Sequence, residues 1–429
     1  MKHKFEKILA IAFINIFLVL ALSPAINCIK TDNFEKIYMF NSEESELDLL
    51  RAEHYLYIDA FENISSFNIR YSFPAEYGYQ VPIIMEIFND TTAEILNYSI
   101  ENETNDLNKI VNFTIGPVEN NSRTLIHFNY WVLVKNYNYS DFPRYVKIPK
   151  LNELPQETTK WLSSTKVVQK NKILIKLKAR ELKILTNNLL KLANRIAKFC
   201  KLHRYFLFLV QYWLGLYRSQ DAFTTLLING ECPGRSHLGC ALFRANNIPA
   251  RIVLANRNYP FWYEMHYATE YYCPDYGWIL TEVHKGVTPY EPKNQIILRI
   301  CYPEDENDTQ NDFIYKKMKG LERWFWINNQ NVKPYYEKDF INGSKTRMFS
   351  ENEIFTDVIL GEEAYTITKE VFHKYQKYQG MNLTNENMQH FQNATNYQFE
   401  AISQLKTSNV LQYISLMNEA IEQYNTIVI

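Results

Sequence analysis

Cys232 is the residue of this chain best placed for covalent chemistry, because of the stretch around it, DAFTTLLINGECPGRSHLGCALFRANNIPAR at 221–251. Asp221 can cap a short helix over 222–227, Gly230 breaks that helix, and Pro233 suits the first turn of the next, where its missing N–H costs nothing. Cys232 is therefore predicted at a helix mouth. Unpaired backbone N–H groups and the positive end of the macrodipole there favour a thiolate, and such positions lower a cysteine pKa from about 8.5 toward neutrality. Leu238, Ala241, Leu242 and Ala245 recur at helical spacing behind it. Asn246 and Asn247 suit a left-handed cap, and Ile252-Val253-Leu254 begins a strand.

A nucleophile needs a base and a group to orient that base. Glu264-Met-His266-Tyr-Ala-Thr-Glu-Tyr-Tyr272, the turn Cys273-Pro-Asp-Tyr-Gly277 and Trp278-Ile-Leu-Thr-Glu282-Val283 read as a β-hairpin. If Tyr272 pairs with Trp278, Ala268 falls opposite Glu282 and His266 opposite His284. His266 and Glu282 are then diagonal neighbours on one face, with Cα atoms about 7–8 Å apart. A slip of one residue would put them on opposite faces.

These pieces together resemble the transglutaminase-like superfamily. They are DAxxTL at Asp221 to Leu226, GxC at Gly230 to Cys232, the helix ending RANNIPAR, the strand carrying His266, and YGW at Tyr276 to Trp278. The resemblance implies a papain-like core in which a Cys helix packs on a sheet that supplies a His strand and an acid strand. Cys232 would be the nucleophile, His266 the general base and Glu282 the orienting acid. The family usually has Asp at the last position.

Other readings of the same residues are blander. Cys240, eight positions on and near the apolar stripe of the same helix, suits core packing. His237 is read as helix surface, and His284 is a rival imidazole. Cys232, Cys240, His237, His266 and Cys273 form the alternative metal set. No two of these cysteines have zinc-knuckle spacing, so neither a metal nor any other cofactor is expected. The acidic run 304–308 lacks the ligand order of a calcium loop and reads as a solvated loop.

The rest of the chain must position this site. Lys2, Lys4 and Lys7 precede an apolar run over 8–22, which reads as a signal peptide or an uncleaved anchor within 1–28. Sequons at Asn63, Asn89, Asn97, Asn102, Asn112, Asn120, Asn138, Asn307, Asn342, Asn382 and Asn393 avoid 180–295, which suits an extracellular glycoprotein. Six cysteines in 429 residues do not make a disulfide scaffold. A formal charge of −1 gives no reason to expect nucleic acid.

Alternating aromatic and β-branched runs over 40–150, such as Tyr55-Leu-Tyr-Ile-Asp and Thr124-Leu-Ile-His-Phe, predict a β-sandwich. A polar hinge at 151–158 leads into the core domain, taken as 160–330. Helices over about 172–217 are basic on one face, read as solvated surface, and 205–216 is read as a core helix. A strand is predicted over 295–301, an aromatic knot at Trp324-Phe-Trp326, and a mainly helical region over 331–429. The fold class is thus α+β, a papain-like transglutaminase core with an N-terminal β-sandwich and C-terminal helices.

The function expected is that of an exported thiol enzyme acting on amide or isopeptide bonds of protein or cell-wall peptides, by hydrolysis or acyl transfer through a thioester. Its partner would be a protein or peptide substrate, with membrane contact only through an uncleaved N-terminal segment. Tyr259-Pro-Phe-Trp-Tyr263 could wall the cleft. The alternative is a catalytically weak or inactive cell-surface binding module that keeps the fold.

Overall fold

A computed structural model describes residues 44–103, 108–136, 142–203, 220–257, 265–291, 293–307, 325–329, 331–334 and 344–428. The N-terminal apolar run, the stretch 205–216, the aromatic run 259–263, Trp324, Asn138 and Asn342 lie outside the described residues. Among the described residues no helix is long and apolar enough to cross a membrane.

The described residues open with six strands: β1 Glu44–Ala60, β2 Phe67–Phe73, β3 Gln80–Ile87, β4 Ile95–Asn102, β5 Lys109–Ile115 and β6 Arg123–Lys135. Their period-two apolar pattern builds two sheets whose inner faces meet at His54, Tyr71, Phe113, Phe128 and Tyr130. His54 is sealed among these rings with Nδ1 2.9 Å from the Tyr71 hydroxyl, and burial lowers its pKa to about 3. It is a neutral core histidine.

Helices α1 (Ile173–Lys183), α2 (Leu189–Leu202), α3 (Ala222–Leu227) and α4 (Cys232–Ala245) follow, then strands β7 (Ala250–Arg257), β8 (Met265–Cys273), β9 (Gly277–Thr281) and β10 (Gln295–Ile300). The four strands form an antiparallel sheet in the order β10-β7-β8-β9, and α4 packs across β8 and β7. The outer edge of β10 would be an unpaired ladder, a liability that sheets must cover. Two side-chain amides from the sandwich cover it. Gln80 donates Nε2–H to Ile297 O at 2.7 Å and accepts Ile297 N–H at 2.8 Å, and Asn108 does the same for Ile300 at 3.0 and 2.8 Å.

Helix α5 (Pro303–Asn307) overturns the solvated acidic loop. Glu306 is fully buried and takes a bidentate grip from Arg244 at 2.6 and 2.7 Å, while Asp305 accepts from Arg299 at 3.0 Å. Arg244 also donates Nε–H to Ala250 O and Nη1–H to Ser163 O, so its charge is paired and four of its five N–H groups have acceptors inside the protein.

Strands then return. β11 (Phe325–Ile327) pairs with β2, while β12 (Val332–Pro334) and β13 (Ser344–Asp357) pair with β1. The sandwich therefore draws on the 331–429 region as well as on 40–150. The segment SKTRMFSENEIFTD has little apolar alternation of its own. Its strand character comes from the length of β1, which leaves a long edge for it to cover. Helices α6 (Val358–Tyr378), α7 (Asn385–Leu405) and α8 (Val410–Asn425) complete the chain, each capped at its start by Asp357, Thr384 or Asn409. Their apolar faces close on β3 and on one another, with Phe372 stacked on Phe73 and Gln398 donating to Ile83 O.

Candidate active site

Asp221 caps α3 as its sequence position predicts, accepting from the N–H groups of Phe223 and Thr224 at 3.0 Å each. Gly230 and Gly234 are required by space. A Cβ on either would lie 2.7 or 2.5 Å from Thr225 Oγ1, so α3 and α4 meet through glycine over one threonine. Gln220 Oε1 accepts the Glu231 N–H at 2.9 Å, and Cys232 and Pro233 open α4. At the far end Asn247 is left-handed with φ of 62°, the cap expected of that residue type.

The hairpin keeps the predicted register as far as it pairs, but the expected Ala268–Glu282 and His266–His284 pairs do not form, because Glu282 bridges Val287 instead. Tyr272 pairs with Trp278 and Thr269 with Thr281, where β9 ends. The carboxylate of Glu282, just past that end, turns back to the sheet face. Its Oε2 lies 2.6 Å from His266 Nε2 and accepts from Arg257 Nη1 at 2.8 Å, while Oε1 accepts the His284 N–H at 2.9 Å. Arg257 belongs to this face because His266 opposes Ala255 on β7, and Arg257 is two places further. Its other nitrogen donates to the Tyr290 hydroxyl at 2.5 Å.

The early end of β9 also decides where the thiol goes. Tyr272 donates its N–H to Pro249 O at 2.9 Å, so even-numbered residues of β8 turn their peptide groups toward β7 and odd-numbered ones toward β9. At Tyr267 there is no β9 left to pair with. The first turn of α4 takes its place: Ser236 Oγ donates to Tyr267 O at 3.0 Å, and the Tyr267 backbone hydrogen-bonds Cys232. The thiol thus sits against the edge of β8, one residue from His266. The structure joins His266 to Glu282 directly. Among the described residues no hydrogen bond joins the Cys232 thiol to the His266 ring.

The charge state of the thiol differs from the expected thiolate. Burial pushes Cys232 up to about 12, with the Glu231 and Glu282 carboxylates adding to it and the Tyr267 backbone and Arg235 acting the other way. The low-dielectric wall and two nearby acids outweigh the helix mouth. Cys200, Cys240 and Cys273 are raised in the same way, but they are sealed whereas Cys232 is half-buried. Glu282 goes the opposite way. Burial alone would raise it, yet His266, Arg257 and the His284 N–H together hold its carboxyl at about 2.

The core model of the transglutaminase-like superfamily matches residues 189–283. This segment is a transglutaminase-like domain. It holds α2, α3, α4, β7, β8 and β9, and therefore Cys232, His266 and Glu282. No curated protein sequence matches the chain. Two solved structures are similar. One is a candidate cysteine protease from Cytophaga hutchinsonii, at 14% identity and a TM-score of 0.49, covering 73% of this chain and 92% of that one. The other is the periplasmic domain of TgpA from Pseudomonas aeruginosa, bound to ethylmercury, at 14% identity and a TM-score of 0.28, covering 57% and 92%.

The remaining residues in this transglutaminase-like domain and just beyond it sort by contact. Cys240 is core, as expected. His237 is not helix surface: it is fully buried with Nδ1 2.6 Å from Gln220 O, and burial lowers it to about 4. His284 stands beside the site with Nδ1 3.2 Å from Arg235 Nη1, and burial followed by the Arg235 charge brings it to about 4. It is a neutral neighbour, with its ring centroid 6.3 Å from that of His266. Arg257, Arg235 and Tyr290 carried no signal in the sequence. The strand register brings Arg257 to Glu282, the 282–290 turn brings Tyr290 to Arg257, and α4 brings Arg235 to His284.

Proposed function

We propose that this protein is an exported thiol enzyme that breaks amide or isopeptide bonds of proteins or cell-wall peptides through a Cys232 thioester. The observation that carries the reading is the 2.6 Å contact between His266 Nε2 and a Glu282 carboxylate held ionised by His266 and then by Arg257. A carboxylate there accepts the Nε2 proton and leaves the Nδ1 lone pair as the base, which is the arrangement an acyl-transfer triad needs.

The thiol is neutral at rest, so it is deprotonated as it reacts. Cys232 turns from the Tyr267 backbone, His266 Nδ1 takes its proton, and Sγ forms a bond to the amide carbon. The imidazolium, stabilised by Glu282, then gives that proton to the leaving nitrogen as the C–N bond breaks. The thioester passes to water in hydrolysis or to an amine in transfer. The Cys232 N–H at the start of α4 would be one donor to the oxyanion.

Export rests on the basic and apolar N-terminus and on the sequons. Asn63, Asn89, Asn97, Asn102, Asn120, Asn307 and Asn382 are exposed, as a glycan acceptor must be. The test is trapping: the chain is incubated with a peptide amide library and hydroxylamine. Hydroxamate formation that is lost in Cys232→Ala is the expected result. Its absence for every amide supplied, with the Cys232 thiol intact, favours the binding-module reading.

A further inference from the structure

We propose that the outer face of α1 and the α1–α2 turn is a docking surface for an anionic lipid bilayer. Ile173, Leu177 and Arg180 of α1 and Ile184, the cap residue just past its end, fall at intervals of four, three and four, so they continue one stripe. The stripe faces outward: Ile173 is 73% exposed, Leu177 49%, Ile184 57% and Leu185 96%. Isolated exposed leucines need no explanation, but four exposed large aliphatic side chains along one face and its end do.

Leu185 is doubly unusual, for its φ is 56°, in the left-handed region that leucine rarely adopts. The turn that holds it is built. Arg195 of α2 donates Nη1–H groups to Leu182 O at 3.1 Å and to Ile184 O at 2.7 Å, Thr186 N–H bonds Lys183 O, and Asn188 caps α2. A fixed turn therefore presents a leucine to the outside at the end of an apolar stripe.

The charge around it names the occupant. Residues 166–203 contain eleven Lys and Arg against the single acid Glu181, in a chain whose net charge is −1. Glu181 is itself paired with Lys178 at 2.6 Å. Lys172, Lys176 and Lys191 are exposed beside the stripe and Arg180 is exposed within it. Aliphatic side chains that enter the acyl boundary, ringed by cations that meet phosphates, are the two signals stable interfacial binding needs. A solvated helix face would carry the charges without the stripe. A nucleic-acid site would have no use for Leu185 at its tip. Because α1 and α2 both pack on α4, docking here would hold the Cys232 domain at the bilayer surface.

The test uses the full chain with an environment-sensitive NBD probe on Leu185→Cys in a Cys28→Ser, Cys232→Ser background. The N-terminal apolar run has lipid affinity of its own, so the readout is local to position 185. The expected result is a blue shift with phosphatidylcholine vesicles containing phosphatidylglycerol, little change with phosphatidylcholine alone, and reversal by high salt. Lys176→Glu with Arg180→Glu, both exposed and free to change without disturbing the core, should weaken the response about tenfold or more. A probe that stays in water while the chain sediments with anionic vesicles overturns the proposal. An equal response to neutral vesicles, or displacement by duplex DNA, overturns the assignment to anionic lipid.

Discussion

His266 and Glu282 are sixteen residues apart in sequence and 2.6 Å apart in space. The contact exists because β9 stops at Thr281, so Glu282 leaves the ladder and its carboxylate folds onto the face that carries His266. The longer arm of glutamate suits this position. It must satisfy His266, Arg257 and the His284 N–H from a backbone that has already turned away.

Glu282→Gln should keep the fold and lower turnover by about three to four orders of magnitude, because an amide can neither fix the Nε2–H tautomer nor balance the imidazolium. Glu282→Asp should retain more activity than the glutamine variant. Hydroxamate release under single-turnover conditions measures both, and a fully active Gln variant removes Glu282 from the site.

Arg257 should act through Glu282. The carboxyl now sits at about 2 against an ordinary 4.5, so the stability it contributes is complete above about 4.5 and is lost as pH falls through about 2. Arg257→Gln removes one of the charges that hold it there. The acid limb of both unfolding and kcat/KM should move to higher pH, with Arg257→Lys in between. Profiles that superimpose on the parent would leave Arg257 with a packing role only.

Alkylation of Cys232 by iodoacetamide should be slow near neutrality and climb about tenfold per pH unit to at least pH 10, since thiolate is scarce below a raised pKa. Peptide mapping identifies the labelled thiol. A rate that levels off near pH 7 would mean a resting thiolate–imidazolium pair.

Glu306→Gln should destabilise the protein by about 3–5 kcal/mol, because it leaves the Arg244 charge buried without its partner. Arg244→Met with Glu306→Leu should recover much of that loss. Denaturant unfolding decides between this and an unaffected midpoint, which would place the pair in water.

Much of the site was legible in the residues. The cap at Asp221, the glycine beside Cys232, the turn Cys273-Pro-Asp-Tyr-Gly277 and the Asn246-Asn247 stop are local signals, and the structure keeps all of them. The register of the paired part of the hairpin followed from the turn, whereas the meeting of His266 and Glu282 comes from Glu282 leaving the ladder after Thr281. His237 and the acidic run 304–308 misled because polarity alone does not report burial: each found an internal partner contributed by a distant segment.

Sequence by itself therefore determined the helix mouth at Cys232, the hairpin and its face, because caps, turns and strand alternation act over a few residues. Tertiary structure decided the rest. The thiol's protonation state depends on the wall and the carboxylates around it, Arg257 reaches Glu282 only through the β7–β8 pairing, and β13 is a strand only because β1 offers an edge. Electrostatics and edge pairing are set by which segments are brought together, and no local pattern encodes that.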